Sequence, residues 1–295
     1  MAALAFEFNN PDEETKRATP VPETQEGPED GPKEGKKTNN LPERVTLFAT
    51  CLVDQFCPEV GEATVHLIEQ TGAVVDFPEG LTCCGMPHFN NGFRNESRRI
   101  LVRQLDLLAG NCPIVVPSGS CGWMLRCVLP TLFPADPWKR EKAEQVAARV
   151  MELSQFLARY GPGRKRGELP GKVVYHDSCH LLRGLGERDC PRKLLDGVTS
   201  NRQELPRSDR CCGFGGSFSI KFPEVSCAML DEKISAAEKI EADWMVAADA
   251  GCMLQIGKGL AHRQSKIRIL HLAQALAGPG APGWPGTNVS RGEGA

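Results

Sequence analysis

The chain is expected to fold as an α/β protein of two repeated β-α-β-α-β halves, each built on a mostly parallel sheet. Three observations lead there. First, two cysteine constellations repeat each other: Cys51, Cys83-Cys84 and Cys121, then Cys179, Cys211-Cys212 and Cys252. Second, the spacing repeats. The step from Cys51 to Cys83 equals the step from Cys179 to Cys211, so one constant offset carries the first set onto the second. Only the last step differs, being slightly longer from Cys212 to Cys252 than from Cys84 to Cys121. Third, each cysteine or pair follows a short apolar run that reads as a strand, with helical periodicity between the runs. Strands alternating with helices give parallel sheets covered by helices. Ligands in such sheets bind beyond the carboxyl ends of the strands, so distant residues converge on one rim.

In the first half, residues 45–49 read as a strand ending at Cys51. A helical stretch with Val60, Val65, Leu67 and Ile68 follows, then a strand over 73–77 before Cys83-Cys84. A helix over 95–108 puts Ile100, Leu101, Leu105 and Leu108 on one face. A third strand, 114–116, leads to Cys121. The second half repeats the plan. A strand at 173–176 precedes Cys179, and a helix and a weak strand precede Cys211-Cys212. A long helix over 223–240 opens on Pro223, a residue suited to a first helical position. A strand at 244–248 leads to Cys252, and 267–270 adds one more. The halves are therefore Rossmann-like and pseudo-repeated, with the cysteine sites at strand C-terminal ends. The expected organisation is a disordered tail over 1–40, a first repeat over 41–133, and a linker over 134–171 with a helix near 140–160 and a turn at 161–167. A second repeat over 172–277 and a flexible tail over 278–295 complete it. Residues 1–40 are rich in Pro, Glu, Lys and Gly, too polar to offset their ordering entropy.

Composition excludes several classes. A net charge of -2, from 35 Lys+Arg and 37 Asp+Glu, gives no electrostatic case for nucleic acid or an anionic membrane surface. No segment approaches the ~20 apolar residues of a membrane span. The N-terminus lacks a signal-peptide pattern, so the chain reads as cytoplasmic. Thirteen cysteines in a reducing compartment point to metal binding or redox chemistry rather than disulfides.

Four thiolates suit an iron–sulfur cluster or tetrahedral zinc. Adjacent cysteines fit a multi-iron cluster better than zinc, which favours Cys-x-x-Cys knuckles. The expected metal ligands are thus Cys51, Cys83, Cys84 and Cys121 in one site, and Cys179, Cys211, Cys212 and Cys252 in the other. Gly85, Gly213 and Gly215 let the backbone approach closely, where N–H groups can donate to cluster sulfurs. His180, beside Cys179, either donates to a sulfur or a bound carboxylate or is an ordinary cap residue. The same two readings hold for His176 and His88. Arg183 either attracts a carboxylate or makes a surface ion pair. Cys57, Cys112, Cys127, Cys190 and Cys227 have no counterpart in the other half and read as small buried hydrophobes. His66, His262 and His271 read as structural. No G-x-G-x-x-G follows a strand, so no nucleotide site is expected.

The runs Cys83-Cys84-Gly85-Met86-Pro87, His176-Asp177-Ser178-Cys179-His180, Cys211-Cys212-Gly213-Phe214-Gly215-Gly216 and Asp249-Ala250-Gly251-Cys252 resemble the cysteine-rich CCG domain family. The resemblance covers 44–277 and is strongest to the lactate-utilization A type, relatives of the glycolate oxidase iron–sulfur subunit and of the B component of heterodisulfide reductase. It implies an iron–sulfur oxidoreductase subunit of a system oxidising L-lactate, or another 2-hydroxy acid, to the keto acid, with B-type and C-type lactate-utilization proteins as partners. The full family motif ends in Cys-x-x-Cys. Here Ser118 and Asp249 stand at the earlier position, so each site has four matching cysteines, and a [4Fe–4S] cluster per motif is the conservative expectation. Two other readings stay open. One is a zinc-stabilised interaction module, with zinc at one or both sites. The other is a thiol/disulfide enzyme of the heterodisulfide reductase kind.

Overall fold

The computed structural model describes residues 41–161 and 169–284. Strand β1 (Arg44–Leu47) runs into helices α1 (Cys51–Phe56) and α2 (Pro58–Glu69). Strand β2 (Val74–Asp76) leads to α3 (Met86–Asn90) and α4 (Arg94–Val102), and β3 (Ile114–Val116) leads to α5 (Gly119–Trp123). Then come α6 (Pro137–Ala147), β4 (Val150–Glu152) and α7 (Leu153–Tyr160). In the second half β5 (Val173–His176) is followed by α8 (Asp189–Asp196), β6 (Arg202–Gln203), α9 (Phe218–Lys221) and α10 (Pro223–Lys239). Strand β7 (Trp244–Ala247), α11 (Ala250–His262), β8 (Arg268–His271) and α12 (Leu272–Ala277) complete the chain.

All strand pairs are parallel, in the orders β2-β1-β3-β4 and β6-β5-β7-β8. The α/β expectation of two Rossmann-like halves therefore holds. The strand order reverses direction between β1 and β3 and between β5 and β7, which are the positions where open sheets leave a crevice at the strand ends. The central strands β3 and β7 are short and apolar on both faces: Ile114, Val115 and Val116 are buried, as are Trp244, Met245, Val246 and Ala247, the pattern of a strand covered on both sides.

Local chemistry sets the helix boundaries. Pro58, Pro137 and Pro223 occupy first-turn positions where no amide donor is needed. Asp136 caps α6 by accepting from the Lys139 amide. Helix α2 buries Val60, Ala63, Thr64, Leu67 and Ile68, one stripe at helical spacing. That stripe faces a core shared by both halves, where Leu67, Ile68 and Phe156 meet Tyr175, Val246 and Leu272. Separate cores fill the outer face of each sheet, around Met124 and Leu125 in the first half and Ile234 and Met245 in the second. The shared middle layer makes the two halves one body.

Three expectations need correction. The helix expected near 140–160 is two helices with β4 between them, and β4 is the fourth strand of the first sheet. So short a strand is too brief to break a helical pattern in the sequence. What draws it into the sheet is pairing with β3, Ile114 to Val150 and Val116 to Glu152. The helix expected over 95–108 ends at Val102 and continues as turns through Leu108, with Gln104 donating its side-chain amide to the Cys83 carbonyl at 2.7 Å. The stretch expected to be flexible from 278 is held through residue 284, where the Trp284 ring packs at a tilt against Trp244 with centroids 5.7 Å apart. Residues 1–40, 162–168 and 285–295 lie outside the described residues, and so do the expectations that fall on them.

Candidate metal centres

Each cysteine sits where a strand hands over to a helix. Cys51 opens α1, behind the Thr50 cap that accepts from the Val53 amide. Cys121 lies in α5, capped by Ser118, and Cys252 lies in α11, capped by Asp249. The pairs Cys83-Cys84 and Cys211-Cys212 occupy the loops after β2 and β6. Gly85 and Gly213 then turn the chain in the left-handed region, at φ 82° and 86°. Both turns are locked in one way: Ser97 Oγ donates to the Gly85 carbonyl at 3.0 Å, and Ser226 Oγ to the Gly213 carbonyl at 2.8 Å. The turn aims a backbone amide at sulfur in each half, Gly85 N to Cys83 Sγ and Gly213 N to Cys211 Sγ, both 3.4 Å. Gly215 also has positive φ, and a Cβ there would lie 2.6 Å from Phe218 Cβ.

The four thiols of each set converge. Cys84 Sγ and Cys121 Sγ are 3.0 Å apart. Cys83 interacts with both Cys51 and Cys84, and Cys211 with both Cys179 and Cys212. The donor chemistry is that of a cation site. Hydrogen bonds from Cys51 and Cys84 hold Cys83 as a thiolate, down to about 3. The bonds from Cys179 and Cys212 hold Cys211 down to about 2. The partners move the other way. Cys51, Cys84, Cys179 and Cys212 are pushed up, first by bonding to a neighbouring cysteine and then by burial. Without added positive charge these sets favour few thiolates, and a metal bound there would ionise all four. The residues present thus fit an iron–sulfur group.

Both sets open on one cavity. All eight cysteines line it, with Ser118, Ser120, His180, Phe214 and Asp249 between them, around about 160 Å³ of space. The sequence suggests two separate sites. Their confluence comes from the docking of the halves, in which Gly119 N donates to the Ala248 carbonyl at 3.1 Å. Ser118 Oγ and Ser120 N both donate to Asp249 Oδ2, at 2.8 and 2.9 Å. Ser118 and Asp249 are therefore cap residues that bond to each other across the junction.

The second set has a more polar surround. His176, fully buried at the end of β5, has a ligand atom within 4.8 Å of the Cys212 and Cys252 sulfurs. Burial pushes its imidazole down to about 3, so it is neutral. His180 Nδ1 is 3.6 Å from Cys179 Sγ, its ring lies against Trp123, and burial lowers its pKa too. Arg192 grips Asp177 with two bonds, at 2.7 and 2.8 Å, bracing the loop that carries Cys179. Sequence reasoning missed Arg192 and the buried Lys233 and Gln104. The equal separations from Ser97 to Gln104 and from Ser226 to Lys233 were the signal that could have found the last two.

Other residues settle into ordinary places. His88 is half-buried beside Cys83. Arg183 does not line the cavity and, among the described residues, makes no ion pair; it donates to the Asp209 carbonyl at 2.9 Å. Cys57 is buried, as expected, but Cys127 and Cys227 are exposed and Cys112 and Cys190 are half-buried, so the small-hydrophobe reading fails for the exposed pair. Among the described residues, no helix is long and apolar enough to cross a membrane.

Comparison with known proteins agrees with this layout. The CCG cysteine-rich domain family matches twice, over residues 45–126 and 173–257. Similar proteins include the lactate utilization protein A of Geobacillus kaustophilus, 43% identical over 79% of this chain and 98% of that protein. The counterparts from Geobacillus thermodenitrificans and Bacillus subtilis are 41% and 40% identical over the same shares. Among solved structures, a hypothetical protein from Helicobacter pylori matches with a TM-score of 0.48 and 14% identity, over 80% of this chain and 49% of that one.

Proposed function

The chain belongs to the lactate utilization protein A family of CCG cysteine-rich proteins, and from that premise we propose that it is an iron–sulfur oxidoreductase subunit serving the oxidation of L-lactate to pyruvate. The observation that carries this reading is the convergence of eight cysteines, four from each half, on one cavity. Cys51, Cys83, Cys84 and Cys121 would hold one group, and Cys179, Cys211, Cys212 and Cys252 the other. A bound [4Fe–4S] cluster supplies one-electron uptake and release.

The chain's own residues do the rest. The amides of Gly85 and Gly213 donate to sulfur and so stabilise negative charge there. The loop through Gly215 and Gly216 and the ring of Phe214 wall the cavity beside the second set, and Met86 and Pro87 wall it beside the first. His180 faces the cavity, where burial favours its neutral form, so its ring offers a nitrogen that can accept a hydrogen bond or a proton from a bound group. Oxidising a 2-hydroxy acid to a keto acid releases two electrons and two protons. Two one-electron sites on one chain match that electron count. The eventual acceptor would lie on a partner, for which the B-type and C-type lactate-utilization proteins are the candidates. The composition supports a cytoplasmic protein with no nucleic-acid role.

One observation favours a variant of this reading. The imidazole of His176 beside Cys212 and Cys252 is a nitrogen–sulfur donor set that also suits zinc at the second site. The deciding experiment measures iron, acid-labile sulfide and zinc per chain on anaerobically purified protein, with the visible spectrum before and after dithionite. About eight irons and a bleaching brown band support two clusters. About four irons with zinc support the mixed state. Colourless zinc protein, even after anaerobic reconstitution, sinks the oxidoreductase reading in favour of an interaction module.

A further inference from the structure

We propose that Lys233 makes the second cysteine site the more readily reduced of the two, so that electrons within this chain run from the first half to the second. The inference rests on the iron–sulfur reading above.

Lys233 lies on α10 and is only 4% exposed. Its ammonium donates to two backbone carbonyls, of Ser208 at 3.2 Å and Arg207 at 3.4 Å. Among the described residues, no carboxylate lies within ion-pair distance of it. A buried ammonium without an opposite charge is costly. Burial works against this charge, and the groups that would offset it are the sulfurs of Cys212 and Cys252 once ionised, then Asp177 and Cys211, the last lining one cavity with Lys233. Asp177 is already engaged by two bonds from Arg192. The natural counter-charge of Lys233 is therefore the second thiolate set.

The first half has a neutral group in the same place. Gln104 follows Ser97 at the same separation as Lys233 follows Ser226, so the two pairs correspond in the repeat. Both serines make the same bond to the glycine of the Cys-Cys-Gly turn. Gln104 is 1% exposed, donates to the Cys83 carbonyl and accepts from the Thr82 amide at 3.4 Å. So the loop bearing each cysteine pair rests on a buried side chain, an amide in the first half and a cation in the second.

The remaining charged and titratable neighbours do not cancel this difference. Asp249 bonds to groups of both halves. His176 is held neutral by burial. Beside the first set the basic neighbour is His88, which is half-buried. Reduction adds a negative charge to a site. A fixed cation in a low-dielectric surround stabilises the more negative state more strongly than a neutral amide does. With a group held by each cysteine set, Lys233 would favour passage of one electron from the first-half group, thereby oxidised, to the second-half group, thereby reduced. No bond is made or broken, and no proton is transferred.

The test is an anaerobic redox titration of the full chain with dithionite, followed by electron paramagnetic resonance. The Cys84→Ser and Cys212→Ser variants, each lacking one group, assign the signals. The wild type is expected to reduce its second-half group first. Lys233→Gln should lower the ratio of reduced second-half to reduced first-half group at least tenfold, equivalent to about 59 mV for a one-electron couple. Lys233→Arg should keep the order, and Gln104→Lys should raise the first-half couple. A wild type that reduces its first half first overturns the proposal. So does an unmoved second-half couple in Lys233→Gln with both groups bound. If Lys233→Gln does not load its second site, Gln104→Lys decides, and an unmoved first-half couple there overturns it. A wild type without two iron–sulfur groups overturns the underlying reading, and metal analysis reveals that before any titration.

Discussion

The two halves carry the same cysteine frame in different surroundings. The offset that carries Cys51 onto Cys179 also pairs Phe48 with His176, Ala49 with Asp177 and Leu52 with His180. Around the single cysteines the first site therefore has apolar neighbours where the second has a polar network of His176, Asp177 and Arg192, and under the paired cysteines a neutral Gln104 stands opposite a cationic Lys233. The fourth strands show the same kind of divergence. Glu152 and His271 each end a strand and cap the next helix in a box closed by Gln155 or Gln274. One is an acid and the other a base, and both are fully buried. What is held constant is what the backbone turn and the sulfur positions require. What varies is the charge placed around them. A repeat of this kind can hold one group twice and give the two copies different chemistry.

The sharpest break in the comparison is loss of one copy. Cys84→Ser and Cys212→Ser should each remove roughly half of the bound iron and lower stability, because a metal that binds only the folded chain stabilises it. Full iron in both variants would contradict the ligand assignment. Next in size is the ion pair that only the second half has. Arg192→Met leaves Asp177 charged and buried, at a cost of about 3–5 kcal/mol in urea unfolding at pH 7. Burial works to raise the Asp177 carboxyl, but the Arg192 bonds outweigh it and hold the group below its ordinary 3.8. Its stabilisation is thus complete above that ordinary value and is lost as pH falls through the folded one. The wild-type advantage over Arg192→Met should shrink below about pH 4. An advantage unchanged at pH 2 would show that the bond is not electrostatic in origin.

Glu152 separates the fourth strands. Burial raises its carboxyl to about 8, above the ordinary 4.5, so the folded chain favours the neutral acid. Stability from this source is full below the ordinary value and falls as pH rises through 8. Glu152→Gln keeps an acceptor for the Ser154 amide and should gain on the order of 1–3 kcal/mol over wild type near pH 7. Thermal midpoints at pH 5 and pH 8 check this, since the gap between the proteins should widen with pH. The smallest effect compares the two turns. A Cβ on Gly213 would meet the Ser226 carbonyl at 2.5 Å, whereas one on Gly85 finds nothing closer than 3.4 Å. Gly213→Ala should cost about 1–3 kcal/mol and Gly85→Ala nearer 1 kcal/mol, by thermal denaturation. Equal losses would mean that the left-handed φ alone sets the cost.

Much of this was legible in the sequence because the repeat is. A duplicated unit states its own register through the matching steps from single cysteine to pair, and the apolar run before each cysteine places it at a strand end. Strands 114–116 and 173–176 were readable from apolar runs flanked by glycine, proline and cysteine, and they stand in the structure with those bounds. Strand β4 was not readable, since Val150–Glu152 has no local pattern and exists by pairing with β3. The exposed thiols of Cys127 and Cys227 were misread for a related reason, because a cysteine's burial depends on which helix face meets a neighbour.

The sequence by itself determined the α/β class, the pseudo-repeat and the eight cysteines, because spacing along the chain carries those directly. Only the tertiary structure decided that the two sets share one cavity, and that Ser118 meets Asp249 across the junction. It also decided that Lys233 and Gln104 lie buried under equivalent loops. Each of these depends on contacts between segments far apart in the chain. Such contacts are fixed by the packing of the shared core between the two sheets rather than by local propensity.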